Sequence, residues 1–466
     1  MDDLFAELMA VVGPDQVLTE PDVTGGYTTD WTRRFHGQAR CVVRPGSTAE
    51  VAAIVAACAK RDIPVVPQGG NTGLVGGSIP DEDGKAVLIS LRRLRRLDPV
   101  DTLSAQVTAG AGVTIAELRA HAARAGLEYG VDLAARDSAT VGGTIATNAG
   151  GIQTIRYGHT RAQLLGVEAV LADGSVISRL GGIQSDNTGY ELAQLLAGSE
   201  GTLGIVTAAR LRLHRPEPVQ LTILAGVPDV RAAATLQAEI RALVPAIRAA
   251  EYFEAPGLAL VRAHTGLPAP LPVGHPAYLL VDITGSANDF AERLSALPVL
   301  ADSAVAMDAS ARAALWAYRE RYTESISAAG VPHKLDVAFP LDRIAGFRAE
   351  LDSVLDSVAA GARAIVFGHI AAGNLHVNVL GPEPSDETVD DAVLALAAAH
   401  GGTISAEHGI GRAKAAVLRL SRTPAEIAAM RALKSGLDPA GLLNPGVLFS
   451  LRGATRLPAG VARCCV

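Results

Sequence analysis

The 466-residue sequence is short of cysteine, of long apolar runs and of basic clusters, and each shortage narrows what it can do. Its four cysteines, Cys41, Cys58, Cys464 and Cys465, form no C-x-x-C pair and no repeated metal spacing. That argues against an iron–sulfur cluster or a dithiol redox motif and leaves free thiols. No uninterrupted apolar stretch approaches the roughly 18 residues that span a bilayer, and Met1 to Leu8 lacks a basic segment leading into an apolar core. We therefore expect a cytoplasmic protein. A formal net charge of -7 gives no general attraction to nucleic acid or to anionic membranes. Arg92, Arg93, Arg95 and Arg96 come nearest to a basic tract, but they interleave with leucines beside a predicted strand, the pattern of a solvated edge. The dinucleotide fingerprint G-x-G-x-x-G is missing too. Its nearest match, Gly110 to Ile115, fails at the last glycine, so a nicotinamide-type phosphate loop is excluded.

Glycine, by contrast, is concentrated. Pro67 to Ser78 holds five glycines in twelve positions, after the apolar run Ile63-Pro64-Val65-Val66 and before Ala86-Val87-Leu88-Ile89. Such a loop can turn successive N–H groups into one concavity that holds phosphate oxygens, and Asn71, Thr72 and Ser78 suit that use. The segment leading in reads as a strand at Cys41-Val42-Val43, stopped by Pro45, then a helix from Val51 to Lys60 opened by a capping box of Ser47 and Glu50. A strand, a helix and a second strand thus deliver the loop, the order in which α/β nucleotide sites are built. A second stretch of small and polar residues, Asp132 to Gly151, follows about 65 residues later, and Gly198 to Thr207 makes a third. A length of 466 residues with 49% hydrophobic content suits two or three domains with sizeable cores.

Gly-Gly-Asn-Thr-Gly-Leu-Val-Gly-Gly, Thr-Val-Gly-Gly-Thr-Ile-Ala-Thr-Asn-Ala-Gly-Gly and Gly-Ser-Glu-Gly-Thr-Leu-Gly-Ile-Val-Thr, in that order, resemble the FAD-binding domain of the vanillyl-alcohol oxidase and p-cresol methylhydroxylase (PCMH) type. The resemblance implies an α+β fold: a two-subdomain FAD-binding domain and an α+β substrate (cap) domain with an antiparallel sheet. It implies a helical lead-in over residues 1–40, the FAD domain over 40–215, the cap over 216–420, and a C-terminal segment, 421–466, that returns to the FAD domain. The cofactor contacts it implies are Pro67, Gly69, Gly70, Asn71, Thr72, Gly76, Gly77 and Ser78 around the pyrophosphate, with Asp132, Leu133, Ser138, Thr140, Gly142, Gly143, Asn148, Gly150 and Gly151 beside the flavin. Glu200 and Ile205 belong to the third stretch, and Asn444, in the C-terminal Leu437 to Gly446, is placed near the flavin. Asp137 departs from the pattern, since relatives usually carry glycine there, and it is expected to point away from the phosphates. Beyond the cap boundary near Pro216, the run Val230 to Ala249 reads as helical packing only.

The chemistry-bearing residues come later. Leu375 to Val379 alternates like a strand, which puts His376 and Asn378 on one face, and a glycine turn can fold His369 back toward them. A lone histidine in an apolar segment is ordinarily a satisfied core residue, so this pair alone leaves both readings open. Glu407 and His408, in what reads as a loop entering a helix, supply a carboxylate. Two imidazoles and one carboxylate leave an open position, the layout of a catalytic zinc or similar ion. Arg319 and Thr323 stand at i and i+4 in the helical stretch containing Trp316, and Lys334 follows. A guanidinium can grip a carboxylate in two parallel hydrogen bonds while the ammonium adds a point charge.

Gly368-His-Ile-Ala-Ala-Gly-Asn-Leu-His376 and Glu407-His-Gly resemble the FAD-linked D-2-hydroxyacid dehydrogenases, although Ala371-Ala372 replaces the usual Gly-Asp. The resemblance implies His369, His376 and Glu407 as ligands of a divalent metal, zinc by preference, Asn378 as a substrate contact and His408 as the base. The spacing of Arg319, Thr323 and Lys334 is similar to the D-2-hydroxyglutarate dehydrogenases, with D-lactate or glycolate oxidation as the alternative. Implied partners are a small 2-hydroxy acid, an electron acceptor such as an electron-transfer flavoprotein or a quinone, and a second copy in a homodimer. Because Pro67 to Ser78 holds neither histidine nor cysteine, the FAD is expected to be non-covalent. Acid precipitation should therefore release a yellow supernatant, and flavin retained in the pellet would contradict that expectation.

Overall fold

The strand–helix–strand lead into the glycine loop forms as the sequence suggests. In this computed structural model, which describes residues 3–244, 247–285, 294, 297 and 302–450, β1 (Val17–Leu18), β2 (Cys41–Val43), β3 (Val65–Gln68) and β4 (Val87–Ser90) make one sheet in the order β1-β2-β4-β3. The last three strands are parallel and β1 pairs antiparallel. Parallel strands are covered on both faces, so Cys41-Val42-Val43 and Val87-Leu88-Ile89-Ser90 are buried at every position. Residues 1–40 bring the helices Asp3–Val12 and Pro21–Thr28 and also the edge strand β1. Helix Thr48–Ala59 starts where expected, with the Ser47 hydroxyl accepting from the Glu50 N–H at 3.2 Å. The capping box is only half formed, because the Glu50 carboxylate takes the Gly46 N–H at 2.7 Å instead. A second sheet, β5 (Gln106–Gly110), β6 (Leu164–Val170), β7 (Val176–Ser178) and β8 (Ile205–Arg212), is antiparallel in the order β5-β8-β6-β7.

These two sheets belong to one compact unit, made of the described residues of Met1–Gly150, Tyr157–Pro216 and Glu407–Thr455. The chain comes back to it at Glu407, earlier than the expected residue 421. The cause is local: both Glu200 carboxylate oxygens accept backbone N–H groups, from Ile410 and Gly411, each at 2.8 Å. Cys41 and Cys58 are buried in this unit and take part in no disulfide among the described residues, and burial pushes the Cys58 thiol up to about 12. Cys464 and Cys465 lie outside the described residues.

The second unit, Gly151–Arg156 and Glu217–Ala406 in its described residues, is built on one antiparallel sheet. Strands β9 (Val219–Val227), β10 (Ile247–Glu254), β11 (Ala277–Thr284), β12 (Ser303–Ala306), β13 (His333–Ala338), β14 (Arg363–Gly368) and β15 (Asn374–Leu380) run in the order β12-β9-β11-β10-β14-β15-β13. The expected helical run over Val230 to Ala249 stops at Leu243, and its last residues open β10. On one sheet face Leu224, Phe253, Tyr278, Leu280, Ile365 and Phe367 pack against helices Ala255–Thr265, Ala309–Glu320 and Tyr322–Ala329 through Leu258, Val261, Tyr318, Tyr322 and Ile326. No helix among the described residues is long and apolar enough to cross a membrane.

In the first unit, the glycines of the two expected cofactor loops let the loops touch. A Cβ on Gly69 would collide with the Thr140 hydroxyl, and one on Gly70 with the Ser138 carbonyl oxygen. Thr140 is also the N-cap of helix Val141–Thr147, accepting from the Gly143 N–H. Gly73 in the same loop has open space where a Cβ would stand. Forced overpacking against backbone costs about 1–3 kcal/mol, so Gly70→Ala should lower the thermal midpoint measurably while Gly73→Ala leaves it near wild type. Equal melting of the two variants would show that the loop–loop approach is not the constraint.

Candidate functional site

Antiparallel register fixes which side chains share a face, because residues directly opposite one another point the same way. On β15, His376 stands opposite Phe367 of β14 and Asp336 of β13, and Asn378 stands opposite Ile365 and Lys334. The period-two reading of Leu375 to Val379 is therefore the observed one. Beyond β14 the chain makes a short 3-10 turn, Ile370–Ala372, and Gly373 follows at φ 69 before β15 begins. That turn folds His369 back until its ring centroid is 5.2 Å from that of His376, edge to face.

The carboxylate comes from Glu407. The sequence boundary between the two units falls at the Ala406–Glu407 bond, and Ala406 is held by the second unit through its N–H to Asp336 Oδ2 at 3.0 Å. Ligand atoms of His369, His376 and Glu407 all lie within 4.8 Å of one another. Ligands around zinc at about 2.0–2.1 Å stand about 3.3 Å apart when tetrahedral, so a small side-chain adjustment closes the set. The donor chemistry, two imidazoles and a carboxylate, fits zinc or a neighbouring divalent ion. His408 Nε2 is 3.7 Å from Glu407 Oε1. The expected helix after this segment is absent: residues 407–412 run as bends and turns, followed by a 3-10 segment, Ala415–Leu420. The two amides held by Glu200 shape that path.

Arg319 and Thr323 do not share one regular helix. Helix Ala309–Glu320 ends at Arg321 and a new one starts at Tyr322, so the i, i+4 face is interrupted and Thr323 is only half-buried. The first helix is pinned to the sheet at two points. Trp316 Nε1 donates to Asp282 at 2.9 Å, and Arg319 Nε donates to Glu251 Oε2 at 2.7 Å. Burial raises the Asp282 carboxyl above its ordinary range. The Arg319 guanidinium lies 4.5 Å above the Phe367 ring, and its Nη groups make no hydrogen bond among the described residues, so they remain able to grip a carboxylate. Lys334, paired across the ladder with Asn378, is pushed down to about 8 by burial.

Glu251 is the residue that the sequence reading missed. It is fully buried in β10, and its other oxygen, Oε1, is 2.5 Å from His369 Nδ1. A carboxylate on a metal-binding imidazole is the usual way such a ring is oriented. The available signal was a single acid in the otherwise apolar strand Ala249 to Phe253, next to a stretch read as packing.

The expected FAD contacts of the first unit divide into backbone and side-chain cases. Asn71 and Ser78 use their side chains on the protein: Asn71 Nδ2 donates to Thr29 O at 2.8 Å, and Ser78 Oγ to Asn71 Oδ1 at 3.0 Å. Asp132 is buried and paired with Arg119 and Arg136, the Ile205 side chain is in the core, and Asn148 Oδ1 accepts from Arg161 N–H. Asp137 is exposed. Asn444, in the left-handed region at φ 46, donates to Gly77 O at 2.8 Å and Glu200 O at 2.7 Å. Its buried Oδ1 has no partner among the described residues. An orphaned acceptor between two glycine-rich loops fits a ligand that brings N–H or hydroxyl donors, and the open space beside Gly73 fits a ligand that needs close backbone approach.

Comparison with known proteins bears on both units. Residues 39–179 match the FAD binding domain family, and residues 216–448 match the family of FAD linked oxidases, C-terminal domain. The chain is 36% identical over 477 residues to D-2-hydroxyglutarate dehydrogenase of Xanthomonas citri pv. viticola, covering 98% of this chain and 100% of that protein. It is also 36% identical over 457 residues to mitochondrial D-2-hydroxyglutarate dehydrogenase of Bos taurus, covering 95% and 83%. The crystal structure of p-cresol methylhydroxylase with substrate bound aligns over 97% of each chain with a TM-score of 0.75 at 16% identity, a likeness of fold. With the α+β architecture observed, both FAD-oxidase domain families matched in order and relatives above 30% identity along nearly its whole length, the chain belongs to the FAD-linked D-2-hydroxyacid dehydrogenase family.

Proposed function

We propose that this protein oxidises a D-2-hydroxy acid to the 2-oxo acid, with a dicarboxylate such as D-2-hydroxyglutarate as substrate, using non-covalent FAD and a divalent cation held by His369, His376 and Glu407. The observation that carries the reading is the convergence of those three ligand atoms within 4.8 Å, on a sheet face that also presents Asn378 and Lys334. The names of the relatives support the substrate class. When bound, FAD supplies the acceptor for the hydride leaving Cα, and the cation supplies Lewis acidity at the hydroxyl oxygen.

The chain's own residues do the rest. His408 accepts the hydroxyl proton, so that one hydride and one proton leave together and the carbonyl forms. Asn378 donates to the substrate, and the Arg319 Nη groups and Lys334 meet its carboxylates. Holding the acid by both ends orients Cα–H for transfer, which makes the step effectively unimolecular. We assign reoxidation to an electron-transfer flavoprotein or a quinone.

FAD-loaded protein should reduce an artificial acceptor with D-2-hydroxyglutarate. A strong chelator should stop turnover without bleaching the bound flavin, and zinc should restore it. Persistence of the full rate in metal-stripped protein would reject the metal. Charge-assisted hydrogen bonds contribute about 1.5–3 kcal/mol, so Lys334→Met should cost about 10 to 150-fold in kcat/KM for the dicarboxylate and much less for D-lactate. The pH dependence follows from burial. With its ammonium lowered to about 8, Lys334 is charged below that pH and neutral above it. KM for D-2-hydroxyglutarate should stay flat below about pH 8 and climb up to about tenfold per unit above it, with no such climb for D-lactate. Equal responses of the two substrates would remove the case for a dicarboxylate.

A further inference from the structure

We propose that Glu251 is a positioning residue that sets both the tautomer of His369 and the orientation of Arg319 with one carboxylate. This rests on the reading of His369, His376 and Glu407 as a metal centre. Glu251 is fully buried in β10 and uses one oxygen for each partner: Oε1 for His369 Nδ1 at 2.5 Å, Oε2 for Arg319 Nε at 2.7 Å.

A carboxylate can only accept, so Nδ1 must carry the proton, and Nε2 is then the nitrogen whose lone pair can bind a metal. On the other side, the same carboxylate takes the Nε edge of Arg319. The guanidinium is planar, and with its Nε held and its face 4.5 Å above Phe367 the direction of its Nη edge is fixed. Phe367 in turn stands opposite His376 in the ladder, their rings 5.0 Å apart. One buried acid therefore couples a metal ligand to the arginine that grips a carboxylate. A role confined to neutralising Arg319 would leave the His369 tautomer unspecified.

Glu251→Gln separates the two. Arginine only donates, so the glutamine oxygen must turn to Arg319 and its NH2 to His369. Nδ1 then has to accept, and the ring proton moves to Nε2, where it blocks the metal. The metal affinity of FAD-loaded protein, measured by competition with a chromophoric chelator for Zn2+, should fall about 10 to 100-fold in Glu251→Gln, with flavin content near wild type. An unchanged affinity in Glu251→Gln, while His376→Ala loses zinc, overturns the role of Glu251 and leaves the metal centre standing. Absence of zinc binding by the wild type overturns the metal centre itself, and the proposal with it. If Glu251→Gln does not retain FAD, the wild type decides: long-range 1H–15N NMR of metal-free, 15N-histidine-labelled protein, with the His369 signal assigned by its loss in His369→Gln, should show the proton on Nδ1. A proton on Nε2 overturns the proposal.

Discussion

A carboxylate at the centre of a seven-stranded sheet, shut off from water, is tolerable only if both of its oxygens find donors. Glu251 meets that condition by recruiting one donor from the turn after β14 and one from the helix above the sheet. Much of the second unit's site geometry follows from this. The helix carrying Arg319 must lie where its Nε can reach β10, and the Trp316 bond to Asp282 holds the same helix one turn earlier. His369 must fold back over the sheet, which the 3-10 turn and Gly373 allow, and it then meets His376 edge to face.

The first unit obeys a steric constraint instead. Its loops are joined by backbone approach at Gly69 and Gly70, and by two side chains that bridge distant segments. Asn444 ties the C-terminal segment to Gly77 and Glu200, and Glu200 ties its own loop to Ile410 and Gly411. Five stretches far apart in sequence thus form one connected surface. A carboxylate near a phosphate ligand would repel it, but Glu200 has both oxygens engaged by backbone amides, which screen its charge locally.

Much of this was legible in the sequence, and the reasons differ by element. The period-two pattern of Leu375 to Val379 announced the face shared by His376 and Asn378, because strand geometry leaves no other arrangement. The glycine loops could be located, since such concentrations are rarely accidental, but not assigned atom by atom. Nothing local says that Asn71 and Ser78 bond to Thr29 and to each other, or that Ile205 faces the core. The break at Arg321 was hidden for a similar reason, since no proline or glycine marks it. Glu251 could not be assigned because its partners lie 68 and 118 residues away. A lone acid in an apolar strand signals a buried pair, and only the fold says with what.

Charge balance bears on the cation proposed for the second unit's site. Among the described residues named at the site, the cationic side chains are Arg319 and Lys334 and the carboxylates are Glu251, Glu407 and Asp336. With its carboxylates ionised, the set carries an excess of one negative charge, and Lys334, already pushed down by burial, is the weaker of the two cations. A dianionic substrate would then meet net repulsion in a medium of low dielectric, where such terms are larger than in water. The divalent ion proposed for His369, His376 and Glu407 would reverse the sign, because it would add two positive charges without adding ligands that need further neutralisation. The set would then attract a dianion, and the hydroxyl would sit beside the charge that best stabilises its deprotonated form. A monocarboxylate such as lactate would draw less from the same field, having no second charge to place against Lys334.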